Sequence, residues 1–212
     1  MTEPTRRTRG VQRGPRSVQV VEGVRAATLT ELTRVGFAGL TIEGVAKAAQ
    51  VNRTTIYRRW PSKAALLEAV VEPLLEHYDT DPNTGSLHGD LLALMTLIRD
   101  NAAQPEGRAL ITAATTGAPE LRDLVRRANA RTLAPFRRAL DRAVGHGELS
   151  DRHDVQIIAY LLFQGVVMWE QSQGVPPTDE DFGRILRTVL PPGPEALRST
   201  PSAPAAGGVG ER

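Results

Sequence analysis

Residues 41–67, TIEGVAKAAQVNRTTIYRRWPSKAALL, constrain the fold more tightly than any other stretch of this chain. Thr41 is placed to cap a short helix through about Ala49, with Val45, Ala46 and Ala49 on its inward side. Asn52 caps the next helix, Arg53 to Arg59, which Pro61 stops. Ser62 caps a third, whose apolar positions Leu66, Leu67, Val70, Val71, Leu74 and Leu75 persist to about Tyr78, with a kink expected at Pro73. Two short helices meeting at a tight turn form a helix-turn-helix. The second presents Arg53, Thr54, Thr55, Tyr57, Arg58 and Arg59, while Ile56 and Trp60, four apart, pin its other face to the bundle.

That mixture of side chains suits duplex DNA. An arginine can grip guanine O6 and N7 with two hydrogen bonds. The threonine hydroxyls and the Tyr57 phenol can meet bases or phosphates, and Lys63 stands at a helix start near the backbone. Charge points the same way. The chain's net charge of +2 conceals +8 over residues 1–63 (12 Lys/Arg against 4 Asp/Glu) and −6 over residues 64–212 (14 against 20). Such polarity steers a polyanion to one end of a molecule.

Before this motif, residues 1–16 hold five arginines among Gly and Pro, a composition expected to be disordered when free. A first helix is expected from Ser17, as N-cap, to about Val35, ended by Gly36. After DTDPNTG (79–85), a loop, more helices follow: Ser86 to Gln104, Pro105 to Thr116, Pro119 to Val144 with a bend at Pro135, about Asp154 to Gln173, and Asp181 to Leu190. The helix over 154–173 is apolar nearly all round, so it needs burial on two sides. Thr178 and Asp181 have capping-box spacing, and residues 191–212 read as a loose tail. No strand alternation or repeat is evident, so the fold class is all-α.

Other chemistry finds little support. The 212 residues include no Cys, which excludes a disulfide frame and thiolate catalysis and makes a reducing cytoplasm the expected home. The longest apolar run, 157–169, is too short for a membrane span, which needs about 20 residues. No apolar segment follows the basic N-terminus, so no signal peptide is expected. His77, His88, His146 and His153 are scattered without ligand spacing, so no metal or other cofactor is expected. Ser150, Asp151, His153 and Asp154 are too close in sequence to form a catalytic triad. The glycines at 145 and 147 follow a helix rather than a strand, against a dinucleotide turn.

GFAGLTIEGVA (36–46), TTIYRRW (54–60) and PSKAALL (61–67) together resemble the TetR family of bacterial transcriptional repressors, over about Val20 to Val71. The resemblance implies that the first three helices bind DNA. It implies that Thr41 and Lys63 touch phosphates, that Tyr57 meets the backbone, and that Arg53, Thr54, Thr55 and Arg58 face bases. Gln50 departs from the pattern, which usually has Gly there; in a left-handed conformation it would cost roughly 1 kcal/mol. Trp60 stands where Phe is commoner. A weaker likeness over RRALDRAVGHGEL (137–149) supports a regulatory region of the same type.

The sequence is therefore read as a homodimeric, ligand-responsive transcriptional repressor of a near-palindromic operator in double-stranded DNA, not an enzyme. Its expected divisions are a basic arm (1–16), a DNA-binding domain (17–61), a regulatory and dimerisation domain (62–190) joined through the helix over 62–78, and a tail (191–212). Met95, Ile98, Phe136, Phe163 and Trp169 are candidates to line a pocket for a small hydrophobic effector. Ile158, Leu162, Val166, Trp169, Phe182, Ile185 and Val189 are candidates for the dimer interface. The competing reading is a helical small-molecule carrier or enzyme whose basic segment is incidental.

Overall fold

A computed structural model describes residues 15–190, with the side chains of Pro15 and Arg16 left aside. The tail and most of the basic arm lie outside these residues. Ten α-helices occupy the described chain: α1 (Pro15–Gly39), α2 (Ile42–Ala48), α3 (Arg53–Tyr57), α4 (Lys63–Glu76), α5 (Leu87–Ala102), α6 (Pro105–Thr115), α7 (Arg122–Gly145), α8 (Val155–Val167), α9 (Trp169–Gln173) and α10 (Asp179–Val189), with a 3-10 turn at Pro119–Leu121 before α7. No strand occurs among the described residues, as the all-α reading requires.

The described chain divides into two compact units. One runs to His77 and takes in Asn101–Asn129; the other holds Tyr78–Asp100 and the described residues from Ala130 onward. In the first unit, α4 groups with α1, α2 and α3, and α6 packs against both α1 and α4.

Helix α1 begins at Pro15 rather than being capped at Ser17, because proline fits the first helical position, where the missing N–H is not needed. Its regular geometry breaks at Gly36 (φ 67, ψ 178), a positive φ that glycine adopts without strain. The break turns Phe37 and Leu40 into the core beside Val45, Ile56, Leu67 and Val71, all buried. Pro73 inside α4 has no N–H, so it leaves the Ala69 carbonyl without its helical partner. Arg25 on α1 donates its Nε–H to that oxygen at 2.6 Å, converting a helix defect into a tie between the two helices. Nearby, Gly107 of α6 lies so close to the end of α5 that a Cβ there would stand 2.0 Å from the Asn101 carbonyl oxygen.

In the second unit, Leu91, Met95, Phe136, Leu140, Leu162 and Phe182 are fully buried. The expected single helix over 154–173 breaks at Met168 into α8 and α9. Asp154 caps α8, accepting from the N–H groups of Gln156 and Ile157. The box at α10 is present: Asp181 N–H donates to Thr178 Oγ1, and the Thr178 N–H donates to the Asp181 carboxylate at 2.8 Å. Those bonds, with the Thr178 hydroxyl and Arg184, hold the Asp181 carboxyl at about 2. The loop after α4 is strapped to α7 by arginines: Arg131 binds Asp79, Arg138 binds the Thr80 carbonyl, and Arg142 binds Asp81, the Pro82 carbonyl and Asp90.

Candidate DNA-reading surface

The turn between α2 and α3 sets the reading surface. Thr41 caps α2, its Oγ1 accepting the Gly44 N–H at 3.0 Å. An accepting hydroxyl keeps its own proton, so Thr41 can still donate to a phosphate. At the other end, Gln50 N–H bonds the Lys47 carbonyl (3.2 Å) and Val51 N–H reaches back to the Ala46 carbonyl (3.0 Å). This is a Schellman closure, in which the residue after the C-cap takes a left-handed conformation. Gln50 does so with φ 54, the only positive φ outside glycine among the described residues. The strain anticipated for a non-glycine residue here is therefore present.

Asn52 then caps α3, its Oδ1 accepting the Thr54 N–H at 2.9 Å. Helix α3 is shorter than the sequence suggests, ending at Tyr57 rather than Arg59. Pro61 disfavours helical backbone at Trp60, and the chain tightens before it: Arg59 N–H bonds Ile56 O at 2.9 Å. Ile56 is fully buried and Trp60 half-buried, so the anticipated inner face is kept. On the outer face Arg53, Thr54, Tyr57, Arg58 and Arg59 are exposed and Thr55 is half-buried.

The cations of this surface differ in employment. Arg53 and Arg58 have no side-chain partner among the described residues. Arg59 is engaged: its guanidinium donates to Ser17 Oγ of α1 at 2.8 Å. Lys63 is engaged as well. Its Nζ lies 3.3 Å from the Phe37 carbonyl oxygen, 3.6 Å from Glu120 of the 3-10 turn, and 4.5 Å from the centre of the Phe37 ring. The resemblance placed Lys63 on a phosphate; here the ammonium fastens α4 to the chain before α2 and to the turn before α7. Tyr57 donates its hydroxyl to Glu43 Oε1 at 3.2 Å. The Glu43 charge, with lesser help from burial and that bond, raises the Tyr57 phenol above its ordinary value, and the Arg53 charge opposes it. Sequence reasoning made Ser17 only a helix cap and gave no role to Glu43 or Glu120. They lie 42, 14 and 57 residues from the side chains they bind, and no local spacing joins them.

The remaining candidates scatter. Met95, Ile98 and Phe136 are packed core, whereas Phe163 and Trp169 are half-buried. A cleft of about 280 Å³ in the second unit is lined instead by polar groups including Asp81, Asp90, Arg142, His146 and Glu148. Of the residues assigned to a dimer contact, Ile158, Leu162, Val166 and Phe182 are buried within a single chain, because that side of α8 packs against α10. In a single chain they offer little surface to a second copy. The outward side of α8 consists of Ile157 (54% exposed), Tyr160 (48%) and Leu161 (48%), followed by Met168. Trp169, Ile185 and Val189 keep partial exposure around an open cleft between α9 and α10. No group of His, Cys, Asp or Glu suited to a metal ion occurs among the described residues. No helix among them is long and apolar enough to cross a membrane.

A capped helix-turn-helix whose outward Arg53 and Arg58 have no side-chain partner among the described residues is the arrangement expected of a DNA-binding regulator. Comparison with known proteins is specific on this point. Residues 24–70 match the bacterial regulatory proteins of the tetR family, and residues 81–189 match the tetracyclin repressor-like C-terminal domain. A DNA-binding transcriptional repressor TetR of Mycobacteroides abscessus is 32% identical over 169 residues, covering 78% of this chain and 88% of that protein. Among solved structures, Salmonella enterica GusR (19% identity, 84% of this chain and 99% of that one, TM-score 0.65) shares the fold. So does Bacillus subtilis FadR in complex with stearoyl-CoA (16% identity, 80% and 97%, TM-score 0.62). The chain belongs to the TetR family, and it is a transcriptional regulator, as its relatives are, rather than an enzyme.

Proposed function

We propose that this regulator acts as a homodimeric repressor whose two α3 helices enter successive major grooves of a near-palindromic operator, and that a small hydrophobic effector releases it. The observation that carries the reading is the pair of free cations, Arg53 and Arg58, on the outer face of α3. Arginines without protein partners at a helix-turn-helix are free to bind guanine edges. Thr54 and Thr55 flank them, Thr41 addresses a phosphate, and the basic arm adds affinity through the backbone or a minor groove. Selection of bound fragments from a randomised duplex library tests this. Two similar half-sites in inverted order are expected, with affinity falling steeply as salt rises. Failure to bind any duplex at low ionic strength would end the reading.

Dimerisation is supported by the outward apolar row of α8. Ile157, Tyr160, Leu161 and Met168 form one exposed stripe that a single chain leaves uncovered. Trp169, Ile185 and Val189 stand at its margin as the part of the expected interface still accessible. Leu161→Glu is expected to yield monomers in sedimentation; a persistent dimer would place the contact elsewhere.

The effector reading is supported by the stearoyl-CoA bound to the structurally similar FadR. Met95, Ile98, Phe136, Phe163 and Trp169 are the side chains it would displace or meet. Release requires the effector to favour the DNA-free form by only about 1–3 kcal/mol. Stearoyl-CoA is the first probe: loss of operator binding supports an acyl effector, and tight binding without that loss would refute the coupling.

A further inference from the structure

Glu43 is a carboxylate on the surface offered to a polyanion. It is the second residue of α2, whose Ile42, Val45 and Ala46 are buried, so Glu43 faces outward. Across the turn, 14 residues on, the Tyr57 hydroxyl donates to its Oε1, and Tyr57 also feels the charge of Arg53. Glu43, Tyr57 and Arg53 thus occupy one patch. Among the described residues, the second carboxylate oxygen, Oε2, has no partner.

A fixed negative charge here opposes every phosphate that approaches. If its role were only to orient Tyr57, a neutral acceptor would serve with less repulsion. A carboxylate gains what a neutral group does not only where DNA presents a donor. In the major groove guanine presents N7 and O6 and thymine presents O4, all acceptors; adenine sets its N6 amino donor beside the N7 acceptor, which repels a carboxylate, whereas cytosine presents its N4 amino donor with no acceptor of its own beside it, so a carboxylate fits cytosine best. We propose, on the reading that α3 enters the major groove, that Glu43 is a base-reading residue. It selects cytosine at one position of each half-site and rejects guanine and thymine there. Tyr57 holds the carboxylate in place through Oε1 and leaves Oε2 for the base. The reading surface then extends beyond α3 to the first turn of α2, and it discriminates by repulsion as well as attraction.

The test is selection from a randomised duplex library by the full chain and by its Glu43→Ala and Glu43→Gln variants, with helix content checked by circular dichroism. For the unsubstituted chain a cytosine is expected at one position per half-site. Glu43→Ala is expected to lose that preference by about tenfold while binding random duplex more tightly. Glu43→Gln is expected to shift the same position toward adenine, whose N7 and N6 match a carboxamide. If both variants keep the original profile and merely bind all duplexes more tightly, Glu43 reads nothing and the proposal fails. Failure of the unsubstituted chain to bind any duplex is a different result, which removes the DNA-reading assignment itself.

Discussion

Arginine is used in opposite ways on α3 and on α7. Along α7, Arg131, Arg138 and Arg142 each meet an oxygen of the loop that follows α4, and Asp79, Asp81 and Asp90 supply the countercharge. On α3, Arg53 and Arg58 make no side-chain hydrogen bond or ion pair among the described residues. The three α7 arginines thus serve as a strap, whereas Arg53 and Arg58 do not. Net charge alone cannot separate these uses. The excess of +8 over residues 1–63 marks one end of the sequence, and the pairing pattern adds which of its side chains are already engaged, Arg59 and Lys63 among them.

The contrast breaks most visibly at Arg142. Asp90 is only 6% exposed; burial pushes its carboxyl up, but the Thr84 N–H and hydroxyl and Arg142 outweigh this and leave it below its ordinary value. Arg142→Met should strand that charge and destabilise the fold by about 3 kcal/mol in urea unfolding, with base preference unchanged. Arg53→Ala and Arg58→Ala should do the reverse. Each is expected to lose about 2 kcal/mol of discrimination at one base pair, with the unfolding midpoint unmoved. Destabilisation by either would mean that the α3 arginines are structural after all.

Two smaller effects sharpen the picture. Gln50→Gly should relieve the left-handed strain and stabilise the protein by about 1 kcal/mol, read from its thermal midpoint; no gain would mean that packing of the glutamine offsets the strain. The smallest concerns Asp181. Its carboxyl is depressed from the ordinary 3.8 to about 2, so its contribution is complete above 3.8 and is lost as pH falls toward 2. Helicity of α10 measured by NMR should therefore survive to about pH 3 and decline below it, whereas Asp181→Asn should show no transition in that window.

Much of this was legible in the sequence for a physical reason. Caps, turns and proline breaks are local, and Thr41, Asn52, Ser62 and Thr178 all cap where their spacing indicates. The outward arginines follow from the same local register. What escaped was nonlocal. Burial of Leu162 and Val166 against the chain's own core, rather than against a second copy, cannot be read from a helix apolar on every side. The ties from Lys63 to Glu120 and from Arg59 to Ser17 depend on tertiary approach, as does the bond from Tyr57 to Glu43. Even the anticipated bend at Pro73 concealed its consequence, the carbonyl that Arg25 takes up.

The contact between Gly107 and the Asn101 carbonyl limits how this lineage can vary. A methyl group at 107 would press into backbone that cannot swing aside like a long side chain, so helix α6 would have to lift away. A library randomised at that codon and sorted for folded protein should return glycine almost alone, while the exposed neighbour Arg108 accepts wide replacement. One absent carbon thus fixes a helix crossing, and evolutionary drift can alter the surface around it far more freely than the crossing itself.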